Sequence, residues 1–579
     1  MTRTRRERLG VLWLAAGAAA LASRCLRPIA NPDIYWHLSA GAQMLEKGAI
    51  PRRDFLSHTR HAAPWIDFEW LAQLLYALVH RTAGFPGLIA LKTLVLGATA
   101  ASFVLLLRRL RVSLAAQGLS LLVLAAGLIP NSFVKPSNFS LLLFTGTLWL
   151  AEMVRLEDLK DRRRAGLAAF MLFALWANLH GGFIFGLALL GAYSAGQWRA
   201  QPAQRSLYAV LFAAAAVGTL CNPFGTGVYA VLLRHAADAA FLQQAIGEWA
   251  PASPRNVYLY PFWAVLAAAA AAIIFRLRHG RPVVWAQVLA LAGLAVAALR
   301  HWRTAPLFIL AALPVIATME KEFPAPRTKI EKILLRLCPF ILAGAVLAHF
   351  AAYGPWRLPR RAIAHASVPE QAADFIAAIS RDIGPTRLYN PWGWGGYLGY
   401  RLHPTSKVFM DGRYIFHDLL VERVAATKTP ETFNAFLKKY DANLIVLKRD
   451  RPPIVAPHRM PDGTTRYAPR PFYMFFMPQE RWSLIYWDAL ALIFVRSDAG
   501  DARWRGEHVY AMYHPDDEAA LRRALDSKLI GRDLFRLELC RHLREAGEDA
   551  ETRRLLEYAG GSGCLEVPKS LFPYSGPLP

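Results

Sequence analysis

The chain has 579 residues, of which 55% are hydrophobic and 12% aromatic, and its mean hydropathy is positive. This is more apolar than an ordinary soluble domain of this length, so we expect most of the chain to lie in lipid. The net charge of +25 does not indicate a nucleic-acid partner, because the basic residues form short clusters between apolar runs, as in cytoplasmic loops of membrane proteins.

The amino terminus has a basic flank and an apolar core, like a signal peptide. Ser23, Arg24 and Cys25 make a poor cleavage site, and many apolar segments follow. We therefore predict an uncleaved first helix that starts in the cytoplasm.

A membrane crossing needs roughly 20 apolar residues, and fewer where neighbouring helices shelter it. On this basis we predict about eleven crossings, at 10–29, 87–107, 114–130, 138–154, 165–180, 182–198, 207–221, 260–275, 283–299, 304–319 and 336–353. Every cytoplasmic loop in this count is basic, which agrees with the positive-inside rule and places the C-terminal part outside.

The first outer loop, residues 30–86, is the most polar part of the membrane domain, which we place at 1–354. Within this loop, residues 70–80 are apolar but too short to span, so we predict a helix at the membrane interface. Residues 84–87, with the sequence GFPG, predict a turn before the second crossing.

From about residue 355 the sequence has the character of a soluble domain. Strand-like runs such as TRLYN, KVFMDG, NLIVLK and ALIFVRS alternate with helical patterns, which predicts an extracytoplasmic α/β domain at 355–500. Residues 501–579 predict a helical segment. The five cysteines lack the spacing of a metal site or disulfide framework, although Cys540 and Cys564 both fall in the soluble part, where they could pair.

Asp33 is the first candidate for a catalytic base. It directly follows the first crossing, and partial desolvation at the lipid surface raises the pKa of a carboxyl toward a useful range. Trp36 and His37 share its face if a helix begins there, so we predict that they bind substrate. The alternative is that Asp33 caps a helix after Pro32 and Trp36 anchors the interface.

Asp54 and Glu69 are the other candidate catalytic carboxylates. Asp54 could instead be a turn acid paired with Arg52 and Arg53, and Glu69 could be a first-turn acid favoured by the helix dipole. A second carboxylate could also position the acceptor or bind a divalent metal ion, for which no spacing identifies the ligands.

Several cationic or ionisable side chains fall at the outer ends of crossings, where burial of charge usually indicates function. We predict that they hold a phosphate group, and they are Lys135, His180, Arg300, His301 and Arg303. The alternatives are that Lys135 and Arg303 reach toward lipid headgroups and that His180 is a satisfied buried histidine.

Several motifs carry a resemblance to a known group of proteins. They are PDIYWHLSAG, GAIPRRDFLSHT, PWIDFEWLAQLLYAL, WANLHGGFIFGL, CNPFG, YNPWGWGGYLGYRL and KVFMDGR. Together they resemble bacterial polytopic proteins of the GT-C glycosyltransferase superfamily over most of residues 10–450. The resemblance implies a GT-C fold with a large first outer loop, a polyprenyl-phosphate-linked sugar as donor, and a catalytic acid that maps to Asp33. The loop lacks the adjacent acidic pair of several members, so no further role is carried over.

The soluble domain offers a second candidate site. Its glycines at 393, 395 and 396 lie between Trp392, Trp394 and Tyr397, and aromatic faces beside an open backbone suit sugars. Asp411 and Arg413 follow a predicted strand and are candidate substrate-binding residues, with an internal ion pair as the alternative.

The preferred hypothesis is a multi-pass enzyme of a bacterial inner membrane that moves a sugar from a polyprenyl-phosphate donor to a lipid, glycan or protein acceptor on the outer face. A non-catalytic scaffold for envelope polysaccharide assembly is one alternative. A lipid or sugar transporter is another, but it would place polar residues at the bilayer midplane and show an internal repeat, which the sequence does not.

Overall fold

The computed structural model describes residues 3–196, 202–322, 329–353, 363, 367–459, 463–547, 549–561 and 564. The chain divides into two compact units. Unit 1 comprises Met1–Arg52 and Trp65–Ala364, and unit 2 comprises Arg53–Pro64 and His365–Pro579. Residues 53–64 of the predicted outer loop therefore belong to the same unit as the C-terminal domain.

Unit 1 is helical. Its α-helices are α1 (Arg3–Cys25), α2 (Asp33–Lys47), α3 (Trp70–Arg109), α4 (Leu114–Gly127), α5 (Ser137–Arg155), α6 (Arg162–Leu179), α7 (Phe183–Gly196), α8 (Pro202–Gly218), α9 (Gly227–Ala237), α10 (Ala239–Ala245), α11 (Tyr260–Arg278), α12 (Trp285–Arg300), α13 (Ala305–Thr318) and α14 (Lys329–Tyr353). A helix occupies each of the eleven segments predicted as crossings.

The described helices do not all meet the requirements for a membrane span. Three helical segments are long and apolar enough by length and composition, namely Trp70–Arg109, Val257–Arg278 and Trp302–Lys321. Others are apolar but shorter, among them α4 and α7 with 14 residues each. A 14-residue helix is about 21 Å long, whereas the hydrocarbon core is about 30 Å thick. The predicted number of eleven crossings is therefore not confirmed.

The first loop is held by a close helix contact. Helix α2 packs against α3, and a Cβ atom at Gly41 would lie only 2.2 Å from the carbonyl oxygen of Gln73. A larger residue at position 41 would separate the two helices. The predicted turn at 84–87 is present as a break within α3, where Gly84 adopts a left-handed φ of 59°.

Unit 2 contains a four-stranded sheet in the order β1-β2-β6-β5, and a separate hairpin of β3 and β4. The strands are β1 (Leu388–Tyr389), β2 (Leu444–Lys448), β3 (Ile454–Arg459), β4 (Thr465–Arg470), β5 (Trp482–Trp487) and β6 (Ala491–Arg496). β1 and β2 are parallel, with Leu388 opposite Leu444, whereas β6 is antiparallel to both β2 and β5. The predicted strand KVFMDG forms only isolated bridges, between Ser57 and Val408 and between Arg387 and Lys407.

Along the chain, the helices of unit 2 lie before, between and after these strands. They are α15 (Glu370–Ile379), α16 (Gly395–Leu402), α17 (His417–Ala426), α18 (Pro430–Lys439), α19 (Tyr473–Phe476), α20 (Ala502–His508), α21 (Glu518–Asp526), α22 (Arg532–Ala546) and α23 (Ala550–Tyr558). A disulfide joins Cys540 of α22 to Cys564. The predicted combination of a helical domain with a C-terminal sheet-containing domain ending in helices is therefore present.

Candidate functional site

The acidic residues of the first loop gather in unit 1. Asp33 is the first residue of α2, after Pro32 at the N-cap position, and its backbone N–H donates to Asn31 Oδ1 over 3.1 Å. Asp67 and Glu69 lie just before α3, and the charges of Asp33 and Asp67 both act on Glu69. The contact between α2 and α3 thus brings together carboxylates from both ends of the loop.

The pKa of Glu69 is strongly perturbed. Burial raises its pKa, Asp67 and Asp33 raise it further, and Arg303 opposes them, with the result that the pKa is about 8. Glu69 is consequently protonated at neutral pH. A neutral carboxyl donates a hydrogen bond as well as accepting one, whereas an ionised carboxylate only accepts.

His180 faces Glu69 and has a defined tautomer. Its Nδ1 accepts from the backbone N–H of Gly182 at 3.0 Å and lies 2.7 Å from Ser140 Oγ, which itself accepts from Trp176 Nε1 at 2.7 Å. Because Nδ1 accepts a hydrogen bond, a neutral His180 carries its proton on Nε2. That nitrogen lies 3.7 Å from Glu69 Oε1, so it presents a donor to the carboxyl.

Two predicted cations meet at one carboxylate. Lys135 Nζ lies 3.2 Å from Glu248 Oε2, and an Nη atom of Arg303 lies 3.4 Å from Glu248 Oε1. Burial alone would raise the pKa of Glu248, but Lys135 and Arg303 outweigh burial and lower it to about 2. All three groups also act electrostatically on His180. The cations and the acids of the first loop therefore belong to one cluster, which we call the acid–cation cluster: Asp33, Asp67, Glu69, Lys135, His180, Glu248 and Arg303.

An aromatic platform adjoins this cluster. The Trp249 ring stacks on His235 at 5.7 Å, and the guanidinium of Arg303 lies 4.9 Å from the ring centre. His301 meets the same ring edge-on and its Nδ1 lies 3.0 Å from the Trp249 carbonyl oxygen. His301 is therefore occupied in positioning Trp249, while Arg303 reaches the cluster itself.

The remaining predicted residues of unit 1 are not members of the acid–cation cluster. Arg300 is exposed at the end of α12, and no described contact joins its guanidinium to the acid–cation cluster. Trp36 and His37 are buried, with their rings 3.6 Å apart, and Trp36 also meets Trp65 edge-on. Because both side chains are buried, a direct substrate contact for either would need movement of this packing.

Asp54, Asp411 and Arg413 form a buried ion triad in unit 2. The guanidinium of Arg413 lies 2.6 Å from Asp54 Oδ1 and 2.7 Å from Asp411 Oδ2, and the side chains are at most 1% exposed. The other oxygen of Asp54 accepts from the hydroxyl of Ser57 at 2.6 Å. These contacts are those of a structural ion pair, the alternative expected for Asp411 and Arg413, and the pairing of Asp54 with Arg52 and Arg53 is not seen. The catalytic role of Asp54 stays a prediction.

The glycine- and tryptophan-rich motif of unit 2 is mainly structural. A Cβ atom at Gly395 would lie 1.8 Å from the carbonyl oxygen of Met410, which only glycine allows. Trp394 and Tyr397 are buried, whereas Trp392 keeps partial exposure. A sugar could therefore reach the face of Trp392 alone among these three aromatic residues without rearrangement.

No group of three or more His, Cys, Asp or Glu side chains in the described part of the chain is arranged to hold a metal ion. The predicted divalent ion therefore has no identified ligands here, and its requirement stays a question for experiment.

Sequence reasoning missed the roles of Glu248, Trp249 and His235. All three lie between the predicted crossings at 207–221 and 260–275, and an acid next to Trp in a loop between apolar segments was the available signal. Asp67, which is 2% exposed and accepts from Gln73 Nε2 at 2.6 Å, lies in the polar first loop but was not assigned a role.

Comparisons with known proteins show the fold. No protein-family profile matches the sequence, and no curated protein matches it either. Two crystal structures of the oligosaccharyltransferase of Archaeoglobus fulgidus are similar to the chain. One, tethered to an acceptor peptide containing the NVT sequon, aligns with a TM-score of 0.52 and 12% identity over 84% of this chain and 79% of that chain. The other, the apo form, aligns with a TM-score of 0.53 and 11% identity over 98% of this chain and 87% of that chain. These similarities support the predicted GT-C fold, whereas the predicted bacterial origin stays a prediction.

Proposed function

We propose that this chain is a GT-C-type membrane glycosyltransferase that moves a sugar from a polyprenyl-phosphate donor to a glycan, lipid or protein acceptor on the outer face of a bacterial inner membrane. The observation that carries the proposal is the acid–cation cluster, because it combines a candidate base with candidate phosphate ligands. Sugar transfer needs both at once: a base for the acceptor proton and positive charge for the departing phosphate.

Asp33 is the proposed base. The acceptor oxygen or nitrogen attacks the anomeric carbon from the face opposite the phosphate, its proton passes to Asp33, and the bond to the phosphate oxygen breaks, so the configuration inverts. Glu69 is protonated at neutral pH because of its raised pKa, so it serves as a hydrogen-bond donor rather than as the base. The Nε2–H of His180 faces the same carboxyl at 3.7 Å.

Lys135 and Arg303 are the proposed phosphate ligands. Glu248 already holds both cations at one point, so a phosphate oxygen can replace its carboxylate without large movements of either side chain. The ring of Trp249 helps to hold Arg303 in place through a cation–π contact with its guanidinium. The acceptor peptide in the Archaeoglobus fulgidus crystal structure supports a protein as one of the proposed acceptor classes.

The test compares wild-type protein with Asp33→Asn in vesicles that contain radiolabelled polyprenyl-phosphate sugars, with release of polyprenyl phosphate as the readout. Loss of a general base lowers the rate by about 10²- to 10⁴-fold. Asp158→Asn, which changes an exposed acid paired with Arg109 in another loop, is the matched control and should retain full rate. Equal thermal unfolding of all three proteins shows that folding is intact.

Two outcomes would contradict the proposal. Full transfer by Asp33→Asn would remove Asp33 from the base role. Absence of any turnover by the wild type, together with absence of polyprenyl-phosphate sugars from the lipids that co-purify with it, would instead support a non-catalytic scaffold.

A further inference from the structure

A second polar cluster lies in unit 2 beyond the end of β1, which pairs in parallel with β2. β1 ends at Tyr389 and β2 ends at Lys448, and residues Tyr389 and Ile445 are paired in the register. The crevice at the carboxyl ends of parallel strands is where open α/β sheets commonly bind ligands. Arg451 follows β2 by three residues, and Arg423 comes from α17.

Tyr389 is the last residue of β1, and its side chain is buried. Its side chain is 1% exposed, and Phe409 and Phe433 lie 5.2 and 5.4 Å from its ring. Arg423 and Arg451 both act on its hydroxyl: burial raises the pKa of Tyr389, and the two guanidinium charges oppose this shift. Arg423 approaches the hydroxyl, but neither that oxygen nor Arg423 Nε has a hydrogen-bond partner of good geometry among the described residues.

The two arginines repel each other without a compensating acid. Burial lowers the pKa of Arg451, Tyr389 opposes this shift, and the positive charge of Arg423 lowers the pKa further, with a stronger effect than the opposing one of exposed Asp450. Among the residues that the structure describes, no carboxylate forms an ion pair with either guanidinium. The neighbouring Arg449 shows the contrast, because it binds Asp516 and Glu551 at 2.5 and 2.8 Å.

Two like charges at a partly buried position destabilise a protein. Locally destabilising arrangements of this kind are typical of binding sites. We propose that Tyr389, Arg423 and Arg451 form a binding site for an oxyanion, either a phosphate or a carboxylate group, in the crevice beyond β1 and β2. The planar guanidinium groups supply forked donors that match either oxyanion, and the hydroxyl supplies a third donor. Phe472, 5.0 Å below the guanidinium of Arg451, fixes the orientation of that fork.

Two sources offer this chemistry: a phosphate group of a lipid or glycan, and the carboxylate of an acidic sugar. Inorganic phosphate and glucuronate serve as the two probes, with glucose and chloride at equal ionic strength as uncharged and non-specific controls. The readout is hydrogen exchange of the backbone at residues 389–392 and 449–451 in the full-length protein in detergent. This local readout separates the site from any anion bound by unit 1.

The wild type should show slower exchange at these residues with phosphate, glucuronate or both. The probe that protects them identifies the source of the anion. Arg451→Gln and Tyr389→Phe should abolish the protection, whereas Arg466→Gln, at an exposed position of β4, should retain it in full. Protection equal to that given by chloride, or protection unchanged in both Arg451→Gln and Tyr389→Phe, would overturn the proposal.

Thermal unfolding without added anion distinguishes a binding role from a structural one. If the arginines are held for a ligand, Arg451→Gln relieves repulsion and the variant unfolds at the same or a higher temperature than the wild type. A structural role predicts the opposite. A lower unfolding temperature for Arg451→Gln, equal with and without phosphate, would contradict the assignment.

Discussion

The raised pKa of Glu69 predicts that this one side chain makes unit 1 less stable as the pH rises. In the folded protein Glu69 titrates at about 8, whereas its ordinary value is 4.5. Between these two pH values the folded state holds a proton that the unfolded chain has released. Stability is therefore unaffected below about pH 4.5, falls through the window from 4.5 to 8, and stays low above it.

The magnitude follows from linkage, since each pH unit within the window costs about 1.4 kcal/mol. Between pH 5 and pH 8 the loss is about 3 kcal/mol, because titration is incomplete at both ends. Glu69→Gln cannot ionise and imitates the protonated carboxyl. The variant should therefore lose less stability than the wild type between pH 5 and pH 8. The difference in their loss of unfolding free energy should grow with pH and reach about 3 kcal/mol, or about 5 °C in unfolding temperature.

The assay is thermal unfolding in detergent from pH 5 to pH 8.5 for both proteins, with Glu157→Gln as the matched control at an exposed glutamate. All other titrating groups are common to the wild type and Glu69→Gln, so subtraction isolates Glu69. Parallel curves across the whole range would refute the reasoning, because they would mean that Glu69 titrates alike in the folded and unfolded chains.

Two further predictions concern the ionic clusters. Glu248→Gln should tighten binding of polyprenyl phosphate about tenfold, or about 1.4 kcal/mol, because Lys135 and Arg303 lose their competing carboxylate. Equilibrium binding to labelled lipid checks this, and weaker binding would show that Glu248 instead holds the cations in place for the ligand. Arg413→Met should lower the stability of unit 2 by about 3–5 kcal/mol, because it leaves Asp54 and a second carboxylate buried and uncompensated. Limited proteolysis against denaturant measures the loss, and a change below about 1 kcal/mol would argue against the buried triad.

Hydropathy located the helices at the eleven apolar segments of unit 1, because burial of apolar segments dominates their placement, but it did not predict α9 and α10. Glycine and proline likewise located the break at Gly84, since only glycine readily adopts its backbone conformation. The local sequence pattern could not predict the lengths of the helices. Several helices are shorter than the bilayer is thick, because the chain turns at residues such as Asn178 to Gly182. The strand expected at 407–412 is limited to bridges, since strand formation depends on neighbours that only the tertiary fold supplies.

Residues of the candidate site could be predicted where their position along the chain determines their depth in the membrane. Lys135, His180 and Arg303 shared an outer-end position in the count of crossings, and the structure brings them together. Their common partner Glu248 was not predictable, because the pairing depends on how the helices that carry them pack. Nor was the partner of Asp54, which lies 359 residues away in sequence.

That separation has a consequence during synthesis. The ribosome adds about 5–20 residues per second, so Arg413 emerges roughly 20–70 s after Asp54 has been made. Throughout that interval residues 53–64 remain an incomplete piece of a unit whose other part does not yet exist. A chain released before residue 411 would keep Asp54 alone, and a fragment that begins at residue 365 would keep Asp411 and Arg413 but lack Asp54. The maturation of unit 2 is thus tied to complete translation of the membrane domain that interrupts it.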